Sequence, residues 1–220
     1  MNESLRSVLP SLGLPEERCG RNRGSHLGPA ELDLYRWILR SFASGGSPSR
    51  QEIADAARSL NVEVETALQR MVEDDLIQCS ASGDIDCAYP FSAKPTTHVV
   101  TLDDGVRLYA MCAVDALGIP VMLGQGCRIE TADPIDGTAI SLRVAASGQA
   151  QYEPGGAVVL CAVADGSGPL SSLCCPLVNT FESSESAERF LASHPGLSGP
   201  ILSIAEAVEC GVAVFGGVLG

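Results

Sequence analysis

The chain has 220 residues, 45% hydrophobic and 19% charged, enough apolar material for one globular core or a core with an appended module. Its formal net charge of −13 and pI of about 4.5 set it against nucleic-acid phosphates and anionic membrane surfaces, so neither is expected as a partner. No stretch reaches the roughly 18 apolar residues of a membrane span, and Met1 to Arg23 lacks the basic start and apolar block of a secretory leader, so a cytoplasmic location is expected.

The first 28 residues read as a flexible tail, with Arg18, Arg21 and Arg23 in a polar, glycine-containing stretch. From Pro29 the period changes to that of a helix. Tyr35, Ile38, Leu39 and Phe42 repeat at helical spacing, as do Ile53, Ala56, Ala57 and Leu60, and then Val64, Ala67, Leu68 and Met71. Ser44-Gly-Gly-Ser-Pro48 separates the first two helices, and Ser49 is placed to cap the second. Leu76-Ile77, the turn Ser82-Gly83-Asp84 and Ile85 to Tyr89 then form a hairpin. Residues 29–92 thus have the layout of a winged helix-turn-helix. The third helix argues against a DNA-reading role, because Glu63, Glu65, Glu73, Asp74 and Asp75 surround a single Arg70. A small packing module is the preferred reading.

Pro90 to Thr97 is expected to be a linker into a second region, 98–220. His98–Leu102 reads as a strand, Asp103-Asp104-Gly105 as a turn, and Val106–Leu117 as a helix stopped by Gly118 and Pro120. Strands are expected at Cys127–Thr131, Ala139–Ala145, Ala157–Ala164 and Leu170–Phe181, with turns at Pro134-Ile-Asp-Gly137, Pro154-Gly-Gly156 and Asp165-Gly-Ser-Gly-Pro169. Helices near Ser184–Ser193 and Ile204–Phe215 end the chain. The expected class is α+β, a helical module followed by a mixed or antiparallel sheet with flanking helices.

Nine cysteines are an odd number without a secretion signal, which argues against a disulfide framework, and no CxxC is present with only three histidines, so no zinc site of ordinary spacing is written. Reduced thiols with another purpose, or plain core cysteines, remain. Cys112 and Asp115 lie three apart on the expected helix and share a face with Leu108. A carboxyl beside a thiol in apolar surroundings tends to keep its proton. Taken alone the pair is also what a small core residue and a surface acid would look like. Cys174 and Cys175, in an expected strand, would point to opposite faces, so one of them could face a given pocket. Cys161 and Cys210 read as core.

Tyr109-Ala-Met-Cys-Ala-Val-Asp-Ala-Leu117, followed far downstream by Cys174-Cys175, resembles the paired signature of the alkylmercury lyases. The resemblance runs from the helical module through the last helix. It implies that Cys112 and Cys174 are catalytic and bind mercury as substrate and product, that Asp115 handles the proton, and that Asp115 and Cys175 are further candidate ligands. Cys175 matches a less critical cysteine suited to relaying metal. The implied reaction splits a carbon–mercury bond by protonolysis to a hydrocarbon and mercuric ion. It needs no organic cofactor, uses low-molecular-weight thiols for turnover, and hands product to such thiols or to a mercuric reductase. Asp133 stands where some members have a structural cysteine, with Cys127 six residues earlier.

The ligand chemistry agrees with that implication, since soft thiolates select soft metals. A thiolate needs a nearby cation or dipole, and Arg107 is the nearest cation along the chain. Three other readings use the same residues. A mercury-binding sensor or metallochaperone would need the cysteines but not Asp115. A redox sensor would join Cys112 to Cys174. A relative that kept the fold and lost the chemistry is the third.

Overall fold

The computed structural model describes residues 19–163 and 169–220. Its order is α1 (Pro29–Ala43), α2 (Arg50–Ser59), α3 (Val64–Glu73), β1 (Ile77–Cys79), β2 (Ile85–Ala88), β3 (Phe91–Ser92), β4 (His98–Leu102), β5 (Arg107–Ala110) and α4 (Ala113–Leu123). There follow β6 (Cys127–Ala132), β7 (Ala139–Val144), β8 (Ala150–Glu153), β9 (Val158–Cys161), α5 (Leu170–Leu173), β10 (Val178–Phe181), α6 (Ser184–Ser193), β11 (Ile201–Ser203) and α7 (Ile204–Phe215). The class is α+β, as expected. Among the described residues no helix is long and apolar enough to cross a membrane.

The three opening helices form where the apolar spacing placed them. Pro29 starts α1, Glu31 accepts from the Gly28 N–H at 2.8 Å, and Leu34, Tyr35, Ile38, Leu39 and Phe42 form its buried stripe. Ser49 and Glu52 close a capping box on α2. Arg70, the one base of α3, is paired with Glu31 at 2.7 Å. The winged helix-turn-helix expectation is not confirmed. Phe91-Ser92, expected in a linker, forms β3 and joins the hairpin to β5, so the hairpin becomes the edge of one antiparallel sheet ordered β1-β2-β3-β5-β4-β6-β7-β8. A second antiparallel sheet, β10-β9-β11, closes the other side.

Two further expectations change. Arg107–Ala110 is a strand, because Leu108 and Ala110 alternate inward and pair with β4, and the helix begins only at Ala113. It then runs through Pro120 to a left-handed Gly124 at φ +65°. Leu170–Phe181 is not one strand: Pro169 precedes the single turn α5, Cys175–Leu177 makes a 3₁₀ turn with Pro176 inside it, and β10 begins at Val178. The short edge strands β8 and β11 carried no clear alternation. Residues 19–28, expected within the tail, are packed, with Cys19, Arg23 and Leu27 buried. The rest of that tail, including Arg18, and much of the Asp165–Pro169 turn lie outside the described residues.

α4 is buried along most of its length and crosses α7 where two glycines meet. A Cβ on Gly118 would stand 2.5 Å from the Phe215 ring, and one on Gly211 would stand 2.7 Å from the Gly118 nitrogen. This close crossing brings Phe215 to the start of α4.

Candidate active site

The β5 strand delivers the chain to Cys112, whose extended backbone (φ −153°, ψ 178°) makes it the N-cap of α4. Its Sγ accepts the Asp115 N–H at 3.4 Å. Cys112 and Asp115 do meet, but through cap geometry and not across a helix face. The cap sits at the positive end of the helix dipole, which favours an anionic sulfur. Burial opposes it, and the Cys112 thiol is pushed well above its ordinary range by burial first and then by its neighbours Cys175 and Asp115.

Asp115 is 5% exposed. Burial raises its carboxyl to about 6, offset in part by the hydrogen bond from Cys112, the charge of Arg23 and the hydrogen bond from Cys175. The Cys175 thiol donates to Asp115 Oδ2 at 3.8 Å. A hydrogen bond with Cys112 favours the Cys175 thiolate, but burial and the nearby Asp115 outweigh it and push the thiol up to about 12. The ligand atoms of Cys112, Asp115 and Cys175 lie within 4.8 Å of one another, all buried.

Cys174 lines the same cavity without joining that trio. It is the C-cap of α5, and burial raises its thiol too. Because α5 and the 3₁₀ turn replace the expected strand, both cysteines border the pocket instead of facing opposite ways. The cavity is small, about 30 Å³. Its walls include Val114, Val178 and Phe215, and among the described residues that line it Arg23 is the one cation.

Arg23 is the residue that reading the sequence missed. It is 4% exposed, its Nε donates to Tyr35 Oη at 3.4 Å, and its guanidinium lies over the rings of Tyr89 (5.6 Å) and Phe215 (5.3 Å). Among the described residues it has no carboxylate ion-pair partner, so its charge bears on the cavity and on Asp115. Arg107, the nearest cation along the chain, is instead exposed and stacked on Tyr109. No periodicity marks Arg23, since its partners lie far away in sequence.

Asp133 is buried and has a structural task of its own. It accepts the Ile135 N–H at 2.8 Å and the Glu182 N–H at 2.9 Å, tying the β6–β7 turn to the end of β10. Cys161, Cys210 and Cys127 are buried in the core, Cys127 on β6 away from the trio.

Residues 91–216 match the family model described as alkylmercury lyase. The chain belongs to the alkylmercury lyase family. It is 31% identical to the alkylmercury lyase of Bacillus cereus over 178 residues, covering 81% of this chain and 78% of that one. It is 29% identical to the one from Pseudomonas putida, covering 79% of each. A crystal structure of the mercury-bound form of MerB2 superposes with a TM-score of 0.73 at 22% identity, over 86% of this chain and 91% of that one, a likeness of fold. Membership makes the chain an enzyme of carbon–mercury bond cleavage, and the buried cysteine–aspartate cluster at the start of α4 fits such a site.

Proposed function

We propose that this alkylmercury lyase family member cleaves its substrate by protonolysis at the cap of α4, with Cys112 and Cys174 on mercury and Asp115 carrying the proton. The observation that supports this most directly is the burial of the Asp115 carboxyl with the Cys112 and Cys175 thiols within 4.8 Å of one another at a helix N-terminus, with Cys174 in the wall of the same cavity. Cys112 displaces the ligand opposite carbon on the organomercurial, its thiol proton leaving with that ligand as its sulfur takes the ligand's place on mercury. The second thiol passes its proton to Asp115 and its sulfur joins mercury. Asp115 then gives that proton to carbon, which takes the electron pair of the breaking carbon–mercury bond. A hydrocarbon leaves, and mercuric ion stays between two thiolates with Asp115 and Cys175 close by. No organic cofactor takes part. Low-molecular-weight thiols or a mercuric reductase remove the ion, consistent with work in the cytoplasm. Residues 29–92 serve as a packing module against residues 98–220.

A second reading differs only in the second thiol. Cys175, not Cys174, donates to Asp115, which favours it as the proton donor. Incubating reduced protein with phenylmercury and excess thiol, and following benzene by gas chromatography, tests both. Release should fall at least about a hundredfold in Cys112→Ala and Asp115→Ala, as loss of a nucleophile or general acid requires. Cys174→Ala should match them while Cys175→Ala keeps most activity; the reverse order selects Cys175. Tight mercury binding without benzene from the wild type would mean a thiol trap.

A further inference from the structure

The two cysteines of the 174–175 step stand on a segment that does not hold itself in place. α5 is a single turn, too short to be stable alone, and its first backbone N–H groups have no partners within the helix. Those groups reach across to the helical half of the molecule. Leu170 N donates to Asp75 Oδ2 at 3.0 Å, and Ser171 N donates to Tyr89 Oη at 2.7 Å. Tyr89 donates in turn to Asp75 Oδ1 at 3.3 Å, and Gln78 Nε2 donates to the same oxygen at 2.7 Å. One carboxylate and one phenol therefore form a closed bracket around the start of α5.

The bracket is itself built with care for position. Asp75 follows α3 in the left-handed region at φ +52°, a conformation uncommon outside glycine and asparagine or aspartate. Tyr89 is buried, lines the cavity and carries Arg23 over its ring. From Leu170 the connection to the site is short, because its carbonyl accepts the Cys174 N–H at 3.0 Å.

We propose that Asp75 and Tyr89 are positioning residues of the site, fixing where Cys174 and Cys175 stand against Cys112 and Asp115. The role rests on the reading of that pocket as the reaction site. It gives the helical module a part in catalysis without any contact between its helices and the substrate. Shifting α5 moves both thiols of the step, whichever of them takes mercury.

Asp75→Asn and Tyr89→Phe test it. Asparagine tolerates the left-handed backbone, and phenylalanine keeps the ring under Arg23, so each variant removes hydrogen bonding and little else. The reduced proteins are treated with iodoacetamide and the alkylation rate of each cysteine is followed by mass spectrometry, beside phenylmercury turnover. Cys174 and Cys175 should react about fivefold faster in Tyr89→Phe and about tenfold faster in Asp75→Asn, in line with losing a neutral and a charged hydrogen bond. Cys127, on β6 away from the cavity, should be unchanged, and kcat should fall with KM little altered. Unchanged rates at Cys174 and Cys175, or a rise shared by all the buried cysteines, overturns the proposal. If the wild type releases no benzene, the reaction reading fails, while the alkylation rates still decide the role of the bracket.

Discussion

Asp115 can take a proton from a thiol only when it is ionised, and burial, eased by Cys112 and Arg23, places its carboxyl at about 6. On the proposed chemistry, kcat/KM should fall about tenfold per pH unit below that value and level off above it. A pH–rate profile with no acid limb near 6 would remove Asp115 from the proton path. His98 shows the opposite case, a base whose burial lowers it to about 4 despite a hydrogen bond with Asn179. It stays neutral beside Thr131 (3.3 Å), while in the unfolded chain it takes a proton near 6.5. Its folded value is depressed, so its contribution to stability is complete above about 6.5 and is lost as pH falls toward 4. Asp115 works against this trend: its folded value is raised, so its penalty shrinks as the pH falls. The comparison must therefore be between wild type and His98→Asn. Urea denaturation at pH 7 and pH 5 should show the variant losing about 2 kcal/mol less than wild type on acidification. Equal losses would mean that His98 is charged or exposed in the fold.

At the scale of elements, the site depends on a helix start and a helix crossing. α4 presents Cys112 as its cap and Asp115 in its first turn, and α7 lays Phe215 over that end because Gly118 and Gly211 let the two backbones approach. Gly211→Ala would force a Cβ to 2.7 Å from the Gly118 nitrogen. Backbone cannot yield as a flexible side chain can, so the variant should lose about 1–3 kcal/mol in urea denaturation. A midpoint equal to that of wild type would show that the helices part without strain. The helices α1, α2 and α3 were legible because a repeating apolar stripe at period 3.6 needs no knowledge of its partner. The start of α4 was not. Val106 to Leu117 is apolar enough for either period, and the ladder with β4 decided in favour of a strand as far as Ala110. The same ambiguity hid α5, where proline chemistry at Pro169 and Pro176 outweighed an apolar run.

For the whole molecule, the acidic balance in the one-dimensional string set aside polyanion partners, and the resemblance carried by Tyr109–Leu117 with Cys174-Cys175 implied the family and the reaction class. Composition and local period are properties of neighbours along the chain, so they can be read without a fold. The tertiary structure decided the rest. It joined the helical module to the sheet through β3, turned the 174–175 step so that both cysteines border the cavity, brought Arg23 and Tyr89 to the pocket that Cys112 lines, and set Asp75 against the start of α5. Asp75 and Leu170 are 95 positions apart, and Arg23 reaches Phe215 from the opposite end of the chain. Contacts of that kind leave no periodic trace, because burial and hydrogen-bond satisfaction across the closed core select them, and not the residues on either side.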